Sequence, residues 1–299
     1  MNSHETILVE QKNRVLLIAL NRPERLNAIS RDMISEVKLV MQQAEYDSGI
    51  AAVVLYGLGR AFSAGMDLKD DAMSGVSGAE SWSEILTEDL DFILQFWDFS
   101  KPTIAVAHGF CLAAACELAM ACDVTIAEQG TFFGEPELKF GSVITAMIMP
   151  YITGPKIAKE LLLGADDRVT AERALSIGLV NQLVPRGEGL STALTLANRI
   201  SVMDDAAVRL TKKAINSCFD AQGFRASLRK NLELAVEIES METPSRKKFK
   251  EITAERGLKA ALQWREQRMS GMNTGKKQPE PNALSASKKF ERFARQSPQ

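Results

Sequence analysis

The chain has 299 residues, of which 45% are hydrophobic and 25% charged, a composition typical of a globular protein with a substantial core. Its 36 basic and 38 acidic side chains give a formal net charge of -2, which argues against a nucleic-acid-binding protein. Two histidines, His4 and His108, disfavour a histidine-rich zinc site and any Ser-His-Asp triad that does not use His108. No signal peptide or apolar run of transmembrane length is visible, so we expect a cytoplasmic protein without a membrane partner.

The first half of the chain predicts strands that alternate with helices. Two short runs, Ile7–Glu10 and Val15–Leu20, flank a polar turn and predict a β-hairpin. A helix follows, and either Asn27 or Ser30 is a suitable N-cap. The Gly/Ser-rich segment Ser74–Ser83 is expected to be mobile. Further strands are predicted at Ala51–Leu55, Thr103–Ala107, Val124–Ala127 and Thr131–Phe133, and helices at Ile85–Trp97 and Leu112–Ala121.

This alternation predicts an α/β fold with crossover connections and largely parallel strand pairing. Helices resume between residues 142 and 174, and Leu179–Val184 is the last predicted strand. From about Leu190 the pattern is all-helical. Asn273–Pro281 has the composition of a linker, and the basic stretch Ser285–Phe293 either forms a docking helix or is disordered.

Two glutamates are the candidate catalytic residues. Glu117 lies within the apolar segment LAAACELAMACDV, where an ionised carboxylate is costly unless it is paired or its pKa shifts. Glu137 follows a Gly-Glu-Pro turn, and two carboxyl groups in one pocket are suited to general acid–base catalysis. Two alternatives are open: Glu117 is a structural carboxylate paired with Lys139 or an arginine, and Glu137 is an ordinary loop residue.

Two turns offer backbone N–H groups for an anionic ligand or transition state. The first is the small-residue turn Ser63–Gly65, and the second is the helix start at Leu112–Ala115. Each follows a predicted buried strand, so together they can supply the two donors of an oxyanion hole. The alternatives are an ordinary turn in which Asp67 caps a helix, and alanines that allow close helix packing.

Four segments resemble the crotonase (enoyl-CoA hydratase/isomerase) superfamily in their order and spacing. They are NRPERLNAIS, GRAFSAGMDL, AHGFCLAAACELAMACDVTIA and FGEPELKFG. The resemblance implies a crotonase-like α/β spiral of repeated ββα units, with C-terminal helices that form a trimer or a dimer of trimers. On this basis residues 1–198 are the core with the active site, 199–265 a helical oligomerisation region and 266–299 a basic linker and tail.

The resemblance also implies the reaction and its residues. Glu117 and Glu137 match the two catalytic glutamates, with Glu117 activating water and Glu137 handling the proton at the α-carbon. The backbone amides of Met66 and Ala114 match the oxyanion hole. The implied reaction adds water across the α,β double bond of an acyl-CoA and needs no metal or redox cofactor. The implied substrate-binding residues are Arg25, Ala64, Met66, Asp67, Leu68 and Lys69.

Two segments depart from the family pattern. Ala113–Ala115 replaces a glycine run, and a positive φ at Ala114 would then cost free energy. Gly141–Gly154 replaces a segment rich in proline and glycine. We expect its bulkier side chains to reshape the acyl pocket: Val143, Ile144, Met147 and Met149.

Other functions are open on the same fold. An enoyl-CoA isomerase, a hydratase-lyase and an acyl-CoA hydrolase would share the enolate chemistry. A different class is a non-catalytic trimeric binding protein that associates with RNA through its basic tail. The tail residues concerned are Lys276, Lys277, Lys288, Lys289, Arg292 and Arg295.

Overall fold

The computed structural model describes residues 4–70 and 76–273 of the chain. The strands in this part are Ile7–Lys12 (β1), Val15–Leu20 (β2), Ala52–Gly57 (β3), Thr103–Ala107 (β4), Phe110–Leu112 (β5), Val124–Glu128 (β6), Phe132–Gly134 (β7), Val169–Thr170 (β8) and Gln182–Val184 (β9). Six of them form one sheet in the order β1-β2-β3-β4-β6-β9, and β5-β7-β8 form a second sheet. In the larger sheet β1 is antiparallel to β2 and all later pairs are parallel.

The helices follow the predicted alternation and then dominate the C-terminal part. They are Arg31–Tyr46 (α1), Ala79–Asp98 (α2), Ala114–Ala121 (α3), Met149–Thr153 (α4), Pro155–Leu163 (α5), Ala171–Ser176 (α6), Gly189–Ser201 (α7), Asp205–Ala221 (α8), Phe224–Ser240 (α9) and Pro244–Asn273 (α10). In the described ranges, 3-10 turns also span Pro23–Arg25 and Glu137–Phe140. No helix among the described residues has the length and hydrophobicity needed to cross a bilayer.

The larger sheet is covered on both faces, which explains its continuous apolar strands. All six residues of β2, with the sequence VLLIAL, are buried. Leu16 and Ile18 pack in a core with residues of α1, α2 and α3, whereas Val15 and Leu17 pack in a second core with residues of α7. Strands buried on both faces carry apolar residues at every position rather than at alternate ones. The predicted hairpin is confirmed, with Ile7 opposite Leu20.

Of the two candidate caps for α1, the structure selects Ser30. Its hydroxyl accepts a hydrogen bond from the amide of Met33 at 3.3 Å. Asn27 is instead fully buried and joins neighbouring loops, accepting from the Arg22 amide and donating to the carbonyl of Ala61. Asn27 therefore shapes the loop that precedes the candidate oxyanion turn.

Two predicted helix boundaries differ from the structure. The predicted helix at Leu112–Ala121 begins at Ala114, because Phe110–Leu112 pairs with Phe132–Gly134 as strand β5. The segment expected to be mobile is helical from Ala79 onward, since Ala-Glu-Ser-Trp-Ser-Glu continues the helix-forming sequence of α2. Its first two residues, Ser74 and Gly75, lie outside the described residues.

The chain separates into two compact units. The first extends to Arg246, and it contains both sheets and helices α1 to α9. The second begins at Lys247, and within it the Arg265 guanidinium lies 4.1 Å above the centre of the Phe249 ring. The predicted boundaries after residues 198 and 265 stay predictions. The basic stretch Ser285–Phe293, and all but the first residue of the predicted linker, lie outside the described residues.

Candidate active site

The two turns proposed to form an oxyanion hole lie side by side. Ser63 forms a β-bridge with Cys111, and the next residues run past the start of α3. Gly65 permits this approach: a Cβ there would lie 2.6 Å from the Cβ of Ala113 and 2.9 Å from the carbonyl oxygen of Leu112. Any larger residue at position 65 would therefore push the two turns apart.

The predicted donor amides are available at this junction. Within the described part of the chain, the N–H groups of Met66 and Ala114 donate no hydrogen bond to another protein atom. Ala114 is the first residue of α3, so its amide has no acceptor in the preceding turn of the helix. The geometry thus leaves two donors free at one place, as stabilisation of an oxyanion requires.

The strained alanine is Ala113 rather than Ala114. Ala113 has φ 56° and ψ -137°, a conformation that glycine adopts readily and other residues rarely do. Ala114 has no positive φ. The free-energy cost expected from replacing glycine by alanine therefore falls at Ala113, the N-cap of α3, and not at Ala114 as the sequence suggested.

Glu117 projects from the first turn of α3 into the interior. Glu117 is 1% exposed, and its Oε1 accepts a hydrogen bond from the amide of Ala146 at 3.1 Å. Oε2 is buried and has no hydrogen-bond partner among the described residues. Burial raises the pKa of this carboxyl well above its usual range, and the nearby Glu137 raises it further. The alternative of an ion pair with Lys139 or an arginine does not hold, because Glu117 forms no ion pair with either among the described residues, and Lys139 lies 2.7 Å from Asp167.

Glu137 begins the 3-10 turn after Pro136 and is only partly buried. Its Oε2 is nevertheless shielded from solvent and has no hydrogen-bond partner in the described part of the chain. Burial raises the pKa of Glu137 to about 7. A carboxyl group with such a pKa can exchange a proton near neutral pH, which an ordinary loop glutamate cannot do efficiently.

The sequence-based prediction missed a third carboxyl group, that of Glu135. It is 1% exposed, and neither of its oxygens has a hydrogen-bond partner among the described residues. Burial raises its pKa well above the usual range, and the charges of Glu117 and Glu137 act in the same direction. Strand alternation could have indicated it, because Glu135 lies two residues after the inward-facing Phe133.

The predicted CoA-binding residues occupy the edge of the first turn. Asp67 is buried and pairs with Arg22 at 2.8 Å and with Arg25 at 3.1 Å. Burial raises the pKa of Asp67, but the Lys69 amide and the two arginines outweigh that effect and hold it below its usual value. Ala64 is partly buried, and Leu68 and Lys69 are exposed. Asp67 therefore shapes the turn, while the contacts of these residues with CoA stay predictions.

The described residues contain no group of three or more His, Cys, Asp or Glu side chains suited to a metal ion. The charges of the three carboxyl groups identified above act on one another and raise the pKa values of Glu117 and Glu135. Such an arrangement favours partial protonation of the carboxyl groups.

Comparison with known proteins decides the family. The sequence profile described as enoyl-CoA hydratase/isomerase matches residues 10–263. The chain belongs to this family. A short-chain-enoyl-CoA hydratase of Clostridium acetobutylicum is 36% identical over 217 residues, which cover 70% of this chain and 80% of that protein. A crotonyl-CoA hydratase of Syntrophomonas wolfei is 34% identical over 221 residues, covering 72% and 82%.

Solved structures agree with this assignment. An enoyl-CoA hydratase/isomerase from Xanthobacter autotrophicus Py2 superposes with a TM-score of 0.87 at 44% identity, over 89% of this chain and 99% of that one. An enoyl-CoA hydratase from Mycobacterium smegmatis, at 24% identity and a TM-score of 0.80, shares the fold. The predicted superfamily, the crotonase-like α/β fold and an enoyl-CoA hydratase-like enzyme of acyl-CoA metabolism are thereby confirmed.

Proposed function

We propose that this enzyme hydrates an α,β-unsaturated acyl-CoA thioester, with Glu117 and Glu137 as its acid–base residues. The observation that carries the proposal is that α3 holds both a free backbone donor and a buried carboxyl group. The free amide of Ala114 begins this helix, and the buried carboxyl of Glu117 lies three residues later on the same face. Glu137 approaches closely enough for its charge to raise the pKa of Glu117.

The two free amides would stabilise the enolate. Attack of water at the β-carbon moves negative charge onto the thioester oxygen, and the N–H groups of Met66 and Ala114 would donate to that oxygen. Removing one such donor typically lowers kcat by about 10²- to 10³-fold. The close contact between Gly65 and Ala113 supports this role because it fixes the separation of the two donors.

The two glutamates would divide the proton transfers. The unpartnered Oε2 atoms of Glu117 and Glu137 can both accept hydrogen bonds from one water molecule. Glu117 takes a proton from that water, the hydroxide adds to the β-carbon, and Glu137 supplies a proton to the α-carbon. Because two buried carboxylates repel, one proton stays on the two residues together. That protonation state provides one base and one acid, as hydration requires.

Substitution of each glutamate tests the division of roles. Glu117→Gln should lose hydration by about 10²- to 10⁴-fold yet retain exchange of the α-proton of a saturated acyl-CoA with solvent deuterium. Glu137→Gln should lose both reactions while CoA-ester binding stays nearly intact. Glu172→Gln, at an exposed position of α6, is the control. Near-normal hydration by Glu137→Gln would contradict the mechanism.

A panel of saturated, unsaturated and aromatic acyl-CoA thioesters identifies the acyl group and separates the alternatives by product mass. Hydration adds one water, isomerisation leaves the mass unchanged, a hydratase-lyase cleaves the chain, and a hydrolase releases free CoA. The RNA-associated alternative requires RNA retention that is lost on deletion of residues 273–299. All of this segment except Asn273 lies outside the described residues.

We also propose that the enzyme acts in the cytoplasm as a homotrimer or a dimer of trimers. It would use no metal or redox cofactor, because the enolate oxygen is met by backbone amides and the protons by carboxyl groups. Light scattering of the purified protein tests the assembly. Activity that is unchanged after treatment with a chelator supports the absence of a metal requirement, and activity restored only by an added metal ion contradicts it.

A further inference from the structure

The segment that departs from the family pattern contacts Glu117 through its backbone. The part around residues 144–146 has no regular secondary structure, so neighbouring strands or helical turns do not fix its peptide groups. Its Ala146 amide nevertheless donates to Glu117 Oε1 at 3.1 Å. The nearby Thr145 amide also lowers the pKa of that carboxyl.

One side chain of α9 holds the opposite side of the same peptide groups. Asn231 Nδ2 donates to the carbonyl oxygens of Ile144 and Thr145, each at 2.8 Å. Because a carbonyl can only accept, the two contacts require the NH₂ end of the Asn231 amide to face the segment. Both N–H groups of that amide are thereby used, and the side-chain orientation is fixed.

The two sets of contacts belong to the same two peptide units. The Thr145 carbonyl and the Ala146 amide are in one planar unit, and the Ile144 carbonyl and the Thr145 amide are in the unit before it. In a trans peptide the C=O and N–H bonds point in opposite directions. Asn231 therefore fixes the direction of the N–H groups that meet Glu117, and a chain of such bonds strengthens each member.

We propose that Asn231 is a positioning residue for Glu117, acting through the two peptide units of residues 144–146. It touches no reacting atom, and this inference rests on the proposed role of Glu117 as the base that activates water. Without Asn231 the two peptide units are free to rotate. The Glu117 carboxyl then loses the donors that set its position and favour its ionised form.

The same face of α9 provides a matched control. Ser227 lies four residues before Asn231, and its hydroxyl is 2.9 Å from the hydroxyl of Tyr151. Ser227→Ala removes a contact between this helix face and α4 but leaves the hydrogen bonds to residues 144 and 145 untouched. Both positions are partly buried and lie on the same face of α9.

The kinetic test compares Asn231→Ala, Asn231→Asp and Ser227→Ala with the parent enzyme. Asn231→Ala should lower kcat for hydration by about 10- to 100-fold with KM changed less than about threefold, as expected when a positioning group is lost. Asn231→Asp keeps the size but faces two carbonyls with a carboxylate, so kcat should fall at least as far. Ser227→Ala should retain kcat within about twofold. Equal kcat values in all four proteins would overturn the inference.

The pH dependence separates positioning from a general loss of structure. The charged or titratable groups that face Glu117 are Glu137 and Asp89, and Glu135 feels its charge. None of them is altered in the Asn231 variants. Loss of the amide donors should raise the pKa of Glu117 and move the acidic limb of kcat/KM to higher pH, because the base must be ionised. An unshifted limb together with a lower melting temperature would indicate a structural role only.

A readout independent of turnover keeps the inference separate from the proposed function. In protein labelled with ¹³C at the glutamate carboxyl carbons, the Glu117 signal can be assigned from its absence in Glu117→Gln. Its titration midpoint should be higher in Asn231→Ala than in Ser227→Ala. A parent enzyme that hydrates no acyl-CoA would refute the proposed function alone, whereas equal midpoints in the two variants would refute the role of Asn231.

Discussion

Replacing Ala113 by glycine should stabilise the protein, although substitution of another residue by glycine usually lowers protein stability. Ala113 has φ 56° and ψ -137°, and such a conformation costs a non-glycine residue about 1–3 kcal/mol. Relief of this strain is partly offset, because glycine gives the unfolded chain more conformational freedom and so lowers stability by about 0.4–1 kcal/mol. Loss of the partly buried methyl group removes at most about 0.8 kcal/mol. The middle of these ranges leaves a net stabilisation of about 1 kcal/mol.

The matched control is Ala115→Gly, two residues later in the same segment. Ala115 is fully buried within α3 and has no positive φ. Glycine in a helix interior costs about 0.8–1 kcal/mol, an upper bound for Ala115 in the first turn of α3, and the lost buried methyl adds about 0.8 kcal/mol. Ala115→Gly should therefore destabilise the protein by about 1–2 kcal/mol.

Urea titration and the melting temperature measure the difference between the two variants. The free energies of unfolding should change in opposite directions, and each 1 kcal/mol should move the melting temperature by about 2–4 °C. If Ala113→Gly destabilises the protein as much as Ala115→Gly does, the backbone at Ala113 is not strained. The alanines in place of the family's glycines would then carry no stability penalty at the N-cap of α3.

Three further predictions concern titration and buried charge. Burial raises the pKa of Glu137 to about 7, so kcat/KM for hydration should fall as pH rises through about 7; a profile flat from about pH 6 to 8 would contradict its role as acid. The raised pKa of Glu135 means that the folded protein keeps a proton which the unfolded chain releases above about pH 4.5, so stability declines as pH rises. Glu135→Gln should accordingly raise the melting temperature more at about pH 8 than at about pH 5, and an equal gain at both would refute this. Lys212 is buried and lies 2.7 Å from Asp123, so Lys212→Met should destabilise the protein by about 3 kcal/mol in urea titration, and a loss below about 1 kcal/mol would refute this.

The sequence was most informative where the physical signal is local. Continuous apolar runs predicted β2, β3, β4 and β6 because strands covered on both faces need apolar residues throughout. Glu117 also stood out from the sequence, since a carboxylate in an apolar helix requires either a partner or a shifted pKa. The Ser30 cap was named as one of two options, and the choice depended on the buried bonds of Asn27, which sequence does not reveal.

Contacts between distant residues could not be predicted in this way. Glu135 faces the interior because β7 pairs in register with β5, placing Phe133 opposite Cys111. Asn231 is separated by 86 residues from Thr145, and an asparagine in an amphipathic helix normally indicates a solvated face. The strain at Ala113 instead of Ala114 depends on where strand β5 ends, a boundary that apolar periodicity does not resolve.

In the segment Gly141–Gly154, packing and hydrogen bonds of side chains restrain the backbone at positions where the family pattern has proline and glycine. In the family pattern, proline and glycine limit or permit particular backbone conformations, whereas here Ile144 and Met149 are 3% and 1% exposed and anchor the segment in the core. Asn231 adds the two hydrogen bonds that orient its peptide groups. Core packing alone fixes position but leaves a peptide plane free to turn, and it is the plane that aims an N–H group at Glu117. We therefore expect the bulky segment and helix α9 to orient Glu117 together, and substitution of Asn231 in α9 should affect proton transfer even though α9 contributes none of the proposed catalytic groups.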